Sequence, residues 1–156
     1  MNEGEIKMKD ISVFELRMVK ESSIEYDHKD MKMSMPDSVF NLVQELFELG
    51  NLPEELMVML CLDTKNQVIG AFKVSHGSIN ASIVHPREVF KRAILSNANA
   101  IILAHNHPSG DPTPSKEDIQ ITNRLVEAGE ILGIKVADHL VIGHNTYLSF
   151  KERRLI

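Results

Sequence analysis

An α/β fold in three layers, with a mixed β-sheet flanked by helices, is what the sequence predicts, and three observations lead to it. Stripes of apolar residues at helical spacing alternate along the chain with apolar runs too short to be helices. Two of those runs, Glu55–Leu62 and Val68–Ser75, are separated only by Asp63-Thr64-Lys65-Asn66-Gln67, which predicts a hairpin. The resulting order is helix, hairpin, strand, helix, strand, loop, helix, strand, strand. That order places helices against a sheet within one domain.

Composition sets the outer bounds. At 156 residues the chain is long enough for one domain with a real core, and 43% hydrophobic with 25% charged residues is ordinary for a soluble globular protein. A formal net charge of −5 argues against a surface built mainly to hold nucleic acid. The single cysteine, Cys61, excludes an intramolecular disulfide and sits in an apolar run as a buried thiol would. The polar start, MNEGEIKMKD, has no signal-peptide core, and no run approaches membrane-spanning length, so a cytoplasmic location with no membrane partner is expected. Oligomeric state is left open.

Residues 1–35 read as an N-terminal arm ahead of a domain spanning 36–156. Within the arm, ISVFELRMV from Ile11 alternates, which predicts a strand; the polar stretch Lys20 to Met35, containing His28, reads as a linker. Pro36 then opens a helix with Val39, Leu42, Val43, Leu46 and Phe47 on its apolar face, closed by Gly50. After the hairpin, a turn at His76-Gly77-Ser78-Ile79-Asn80 leads to a short strand, Ala81–Val84. A second helix starts at Pro86, with His85 at its cap and Val89, Phe90, Ala93 and Ile94 facing inward; Glu88, Lys91 and Arg92 fall on its outer face. Ala100 to Ala104 is the next strand. The helix after the loop carries Ile121, Leu125, Ala128 and Leu132 and stops at Gly133; Ile134–Ile142 and Tyr147–Phe150 are the last strands.

The chemistry concentrates between His105 and Asp118, HNHPSGDPTPSKED. Alternate residues of a strand share a face, so His105 and His107 point the same way, roughly 6–7 Å apart along the backbone. Pro108, Gly110, Pro112 and Pro114 make a stiff loop that returns the chain towards its start, and Asp118 falls one turn before Ile121, on the inward side of the next helix. Two histidines and a carboxylate leave a tetrahedral zinc with one open position, the layout of a catalytic site. A second reading stands beside this one: Ser115-x-x-Asp118 is also a capping pattern for the helix.

His105, His107, Ser115 and Asp118, with Pro108, fit His-x-His-x7-Ser-x2-Asp, and the chain thereby resembles the JAMM (MPN-plus) metalloproteases. His105-Asn106-His107-Pro108-Ser109-Gly110 and the later Asp138-His139 are similar to the RadC branch of that family, a likeness running from about Pro36 to Phe150. The resemblance implies a JAMM/MPN-like fold, one Zn2+ held by His105, His107 and Asp118, and hydrolysis of a peptide, isopeptide or related amide bond in an unidentified peptide or protein substrate. It also implies that Ser115 stabilises the oxyanion and that an upstream glutamate at a strand start handles the proton. Glu54 and Glu55 both stand at the mouth of the first hairpin strand, and Pro53-Glu54-Glu55-Leu56 resembles that segment; Glu55 is the choice over Glu54, although either also fits an exposed strand-end charge. Asp138 and His139, polar inside an apolar strand, either support the metal ligands from behind or bond to each other and to backbone. An alternative function is a DNA-repair-associated accessory or binding protein without hydrolase activity. Longer RadC-like proteins carry a helix-hairpin-helix region ahead of the metallo-domain, and residues 1–35 show no such pattern. A His-Glu-x-x-His site, a Pro-Cys-x-x-Cys deaminase site and an HNH nuclease all fit the sequence worse.

Overall fold

The computed structural model describes residues 10–25, 33–77 and 84–156. Among them, helix α1 (Pro36–Phe47) is followed by a 3-10 turn (Leu49–Asn51), strands β1 (Leu56–Leu62) and β2 (Val68–His76), helix α2 (Pro86–Leu95), strand β3 (Ala100–Asn106), helix α3 (Lys116–Leu132) and strands β4 (Lys135–Ile142) and β5 (Tyr147–Ser149). The strands form one sheet in the order β2-β1-β3-β4-β5. Only β3 and β4 run parallel, joined by the crossover through α3, and the other neighbours are antiparallel. The sheet is therefore mixed, as expected.

Strand alternation builds the layers. Leu56, Val58, Leu60 and Leu62 of β1 pack with Ala100, Ile102 and Ala104 of β3 against Val39, Leu42 and Val43 of α1. Met57, Met59, Cys61, Ile101 and Leu103 face the other way, onto Val89, Phe90 and Ala93 of α2 and Ile121 and Leu125 of α3. β1 and β3 are buried along their whole length because both faces are covered. Burial also pushes the Cys61 thiol up to about 11, as an inert core thiol requires.

Several expectations shift. Ile11–Val19 joins no strand: Ile11, Val13, Phe14, Leu16 and Val19 are 80–95% exposed. Alternation makes a strand only where a sheet edge accepts it, and the described arm pairs with none. The contact it does show is from the Ser96 hydroxyl to Met18 Sδ at 3.7 Å. α1 stops at Phe47, three residues before Gly50, with Glu48 in the left-handed region and its N–H on the Gln44 carbonyl. Gly50 serves a close approach instead: its N–H donates to Gln44 Oε1 at 2.8 Å, where a Cβ would collide with the Gln44 amide. Ile94 and Leu132 are 53% and 47% exposed, because burial in the last turn of a helix depends on what the neighbouring layer covers. His85 occupies the N-cap of α2 but makes no side-chain cap bond. His28 and the expected turn and strand over residues 78–83 lie outside the described residues.

Candidate metal centre

The sheet delivers the site at the C-terminal end of β3, where β3, β4 and the start of α3 meet. His105 is a β3 residue with no exposure, and His107 follows one residue beyond the strand. The His107 N–H donates to the Ile142 carbonyl at 2.9 Å, carrying the β3–β4 ladder one step further. Gly110, at φ 83°, turns the loop back, and its N–H closes onto the His107 carbonyl at 2.9 Å. The loop is then pressed against the turn after β4: His144 N–H donates to the Gly110 carbonyl at 3.0 Å, and Gly143 lies so close that a Cβ would strike the Gly110 carbonyl oxygen and the Pro112 ring. Gly143→Ala is expected to cost about 1–3 kcal/mol and to displace the loop holding His107. Thermal denaturation with metal titration checks this: lower stability accompanied by weaker metal uptake.

At the head of α3 both readings of Ser115 and Asp118 hold together. Ser115 is the N-cap; its Oγ accepts the Asp118 N–H at 3.0 Å and its own N–H donates to Asp118 Oδ2 at 2.7 Å, a complete capping box. The same carboxylate, 2% exposed, lies with Oδ1 3.3 Å from His105 Nε2 and Oδ2 3.3 Å from His107 Nε2. Capping and convergence are compatible because a carboxylate has about four lone-pair sites and the box uses one. Burial alone would raise the Asp118 pKa, but the two imidazoles beside it hold the carboxyl well below the usual carboxylate range.

Behind His105 runs a chain of hydrogen bonds whose direction is set by its last member. The Asp118 carbonyl can only accept, so the Thr122 hydroxyl donates to it at 2.6 Å. The Thr122 oxygen is then left to accept from His139 Nδ1–H at 2.7 Å, and His139 Nε2 to accept from His105 Nδ1–H at 2.8 Å. Burial, foremost, pushes His139 well below its ordinary pKa, which matches the neutral ring this chain needs. His107 is oriented likewise, its Nδ1–H donating to the Asp111 carbonyl at 2.8 Å. With Nδ1 engaged in each ring, both turn Nε2 towards each other at 3.1 Å and towards the Asp118 carboxylate. In the metal-free protein a proton on Nε2 can be shared with Asp118 and the other ring, and a metal ion would take that proton's place. Together with the Asp118 carboxylate the two Nε2 atoms form a donor set, all within 4.8 Å of one another, that suits a divalent metal ion.

The question left open for Asp138 and His139 divides between them, since adjacent strand residues face opposite sides. His139 backs His105. Asp138 instead ties β4 to the end of β5, accepting from Ser149 Oγ at 2.6 Å, Lys151 N–H at 3.0 Å and His139 N–H at 2.7 Å. The two glutamates separate as well. Glu54 pairs with exposed His76 at 3.3 Å, whereas the charge of half-buried Glu55 adds to the raised pKa of His107, whose first cause is the bond to Asp118. Sequence reasoning missed Thr122 and Asn106. Thr122 was findable as a hydroxyl next to Ile121 on the buried face of α3, one turn after Asp118. Asn106, buried on β3 between the histidines, sends its amide to the other side of the sheet.

Known proteins are similar to this chain over the same region. A protein of Alkaliphilus oremlandii carrying the name UPF0758 protein is 57% identical over 125 residues, which cover 80% of this chain and 53% of that protein. UPF0758 proteins of Desulfitobacterium hafniense (strain DSM 10664 / DCB-2) and Clostridium beijerinckii are 53% and 49% identical, over 80% and 83% of this chain and 54% and 56% of theirs. The chain thus spans about half the length of the curated relatives it matches. The family described as RadC-like JAB domain matches residues 33–155, which include every strand of the sheet and all of the candidate metal centre, and the chain belongs to that family.

Proposed function

We propose that this domain is a zinc-dependent hydrolase of peptide, isopeptide or related amide bonds. The observation that carries the reading is the convergence of the His105 and His107 Nε2 atoms with one buried carboxylate, that of Asp118. His105, His107 and Asp118 would hold the ion; two imidazoles and a carboxylate are a zinc donor set that leaves a position open. Bound there, the ion supplies Lewis-acid polarisation of a carbonyl and makes water a nucleophile near neutral pH. Glu55 takes the proton from the attacking water and returns it to the leaving amine. Ser115 accepts the Asp118 N–H through one lone pair, so its hydroxyl proton stays free to donate to the developing oxyanion from an exposed position. His139 and Thr122 keep His105 in the tautomer that presents Nε2.

Elemental analysis of untagged protein tests the metal, with about one zinc per chain expected. A panel of fluorogenic linear peptides and isopeptide-linked conjugates then tests the chemistry. Glu55→Gln is expected to retain zinc and lose roughly 10²–10⁴-fold in turnover, the range that general acid–base catalysis supplies. Wild-type zinc content with no cleavage across the panel, together with a zinc-independent shift of duplex DNA on a gel, would favour the accessory role instead.

A further inference from the structure

We infer that Asn106 is the positioning residue for Glu55, binding the proton-transfer group and the two histidines into one rigid unit; the inference rests on the metal and proton roles proposed above. Backbone pairing between β1 and β3 ends at Met57 opposite His105. One step further, where the next partner of Leu56 would be a β3 backbone group, the Asn106 side chain takes over. Its Oδ1 accepts the Leu56 N–H at 2.8 Å, and its Nδ2 donates to the Glu54 carbonyl at 3.0 Å and to the Leu52 carbonyl at 3.4 Å.

The Glu54 carbonyl and the Leu56 N–H belong to the two peptide planes on either side of Glu55. One side-chain amide therefore grips both planes and restrains the dihedrals between them, which direct the Glu55 Cα–Cβ bond. The remaining backbone acceptor, the Glu55 carbonyl, is held by Gly77 N–H at 2.8 Å. Segment 52–55 belongs to no strand, so the side-chain bonds of Asn106 stand in for a β3 ladder on that side of Glu55, opposite the Gly77 bond. Asn106 is 1% exposed, and since strand neighbours alternate, it holds that loop from one face of the sheet while His105 and His107 work on the other. No other side chain offers both an acceptor and donors at this length: aspartate would repel the two carbonyls, and leucine would bond to neither.

The test uses the whole 156-residue chain loaded with Co2+, whose visible d–d spectrum reports the coordination and the polar groups around the ion. Asn106→Ala is expected to bind one cobalt per chain with unchanged affinity yet to reproduce the spectral change of Glu55→Gln, and the double variant to show no further change. Amide exchange at Leu56 should be at least about fivefold faster in Asn106→Ala, while Val58 and Leu60 stay protected. A wild-type spectrum in Asn106→Ala beside an altered one in Glu55→Gln overturns the positioning role alone. Loss of cobalt in Asn106→Ala also overturns it, by making Asn106 a general support of the site. No cobalt uptake by wild type overturns the metal reading and this inference together. Should Asn106→Ala not fold, exchange in wild type decides: a Leu56 amide as protected as Val58 supports the clamp, and rapid exchange refutes it.

Discussion

Asp118→Asn is expected to weaken metal binding by more than about 100-fold while leaving the fold nearly as stable as wild type, since even groups behind a ligand cost about 10–100-fold when removed. The asparagine can still accept the Ser115 N–H, so the capping box survives, but the charge facing the two Nε2 atoms is gone. Asp118→Ala removes both. It should add about 0.5–2 kcal/mol of destabilisation for the lost cap. Metal titration and denaturant unfolding of the two variants side by side separate the roles of one carboxylate. Equal metal affinity in wild type and Asp118→Asn would reduce Asp118 to a cap.

His139→Ala should be among the most destabilising single changes in the domain, about 3 kcal/mol or more. It opens a cavity beside Phe150, whose ring stacks on His139 with centroids 4.9 Å apart, and it leaves His105 Nδ1–H without its acceptor. Metal affinity should fall with it, because nothing then selects the His105 tautomer. The same residue governs the response to acid. Its folded pKa lies well below the ordinary 6.5, so below about pH 6.5 the unfolded chain binds a proton that the folded chain refuses. Stability of metal-free protein is therefore expected to fall there as pH falls, by up to about 1.4 kcal/mol per pH unit. His107 has the opposite sign in a different window: its raised pKa stabilises the metal-free fold at low pH, and that contribution is lost as pH rises above about 6.5 through the folded value. Denaturant midpoints measured from pH 5 to 8 after chelation check both arms, and His139→Gln should flatten only the acidic one.

Much of the sheet was legible because local pattern and burial coincide there. β1, β3 and β4 are apolar runs covered on both faces, and α1 and α3 carry stripes whose middle turns are buried. Legibility failed at the margins of that cover. Phe14, Leu16 and Met18 alternate as a strand would, yet no edge receives them among the described residues; Leu132 continues the stripe of α3 where no layer remains to bury it.

The sequence by itself determined the order of elements and the three groups, His105, His107 and Asp118, that converge. Their spacing on one strand, one stiff loop and one helix turn leaves few ways for them to point. What only the tertiary structure decided is everything that reaches the site from a distant part of the chain. His139 arrives through the parallel pairing of β3 with β4, thirty-four residues from His105, and Asn106 grips a segment fifty residues before it. Hydrogen bonds of this kind depend on which strands become neighbours and in what register. A one-residue slip of β4 would send Asp138 to the site and His139 to the other face, with no change in local pattern.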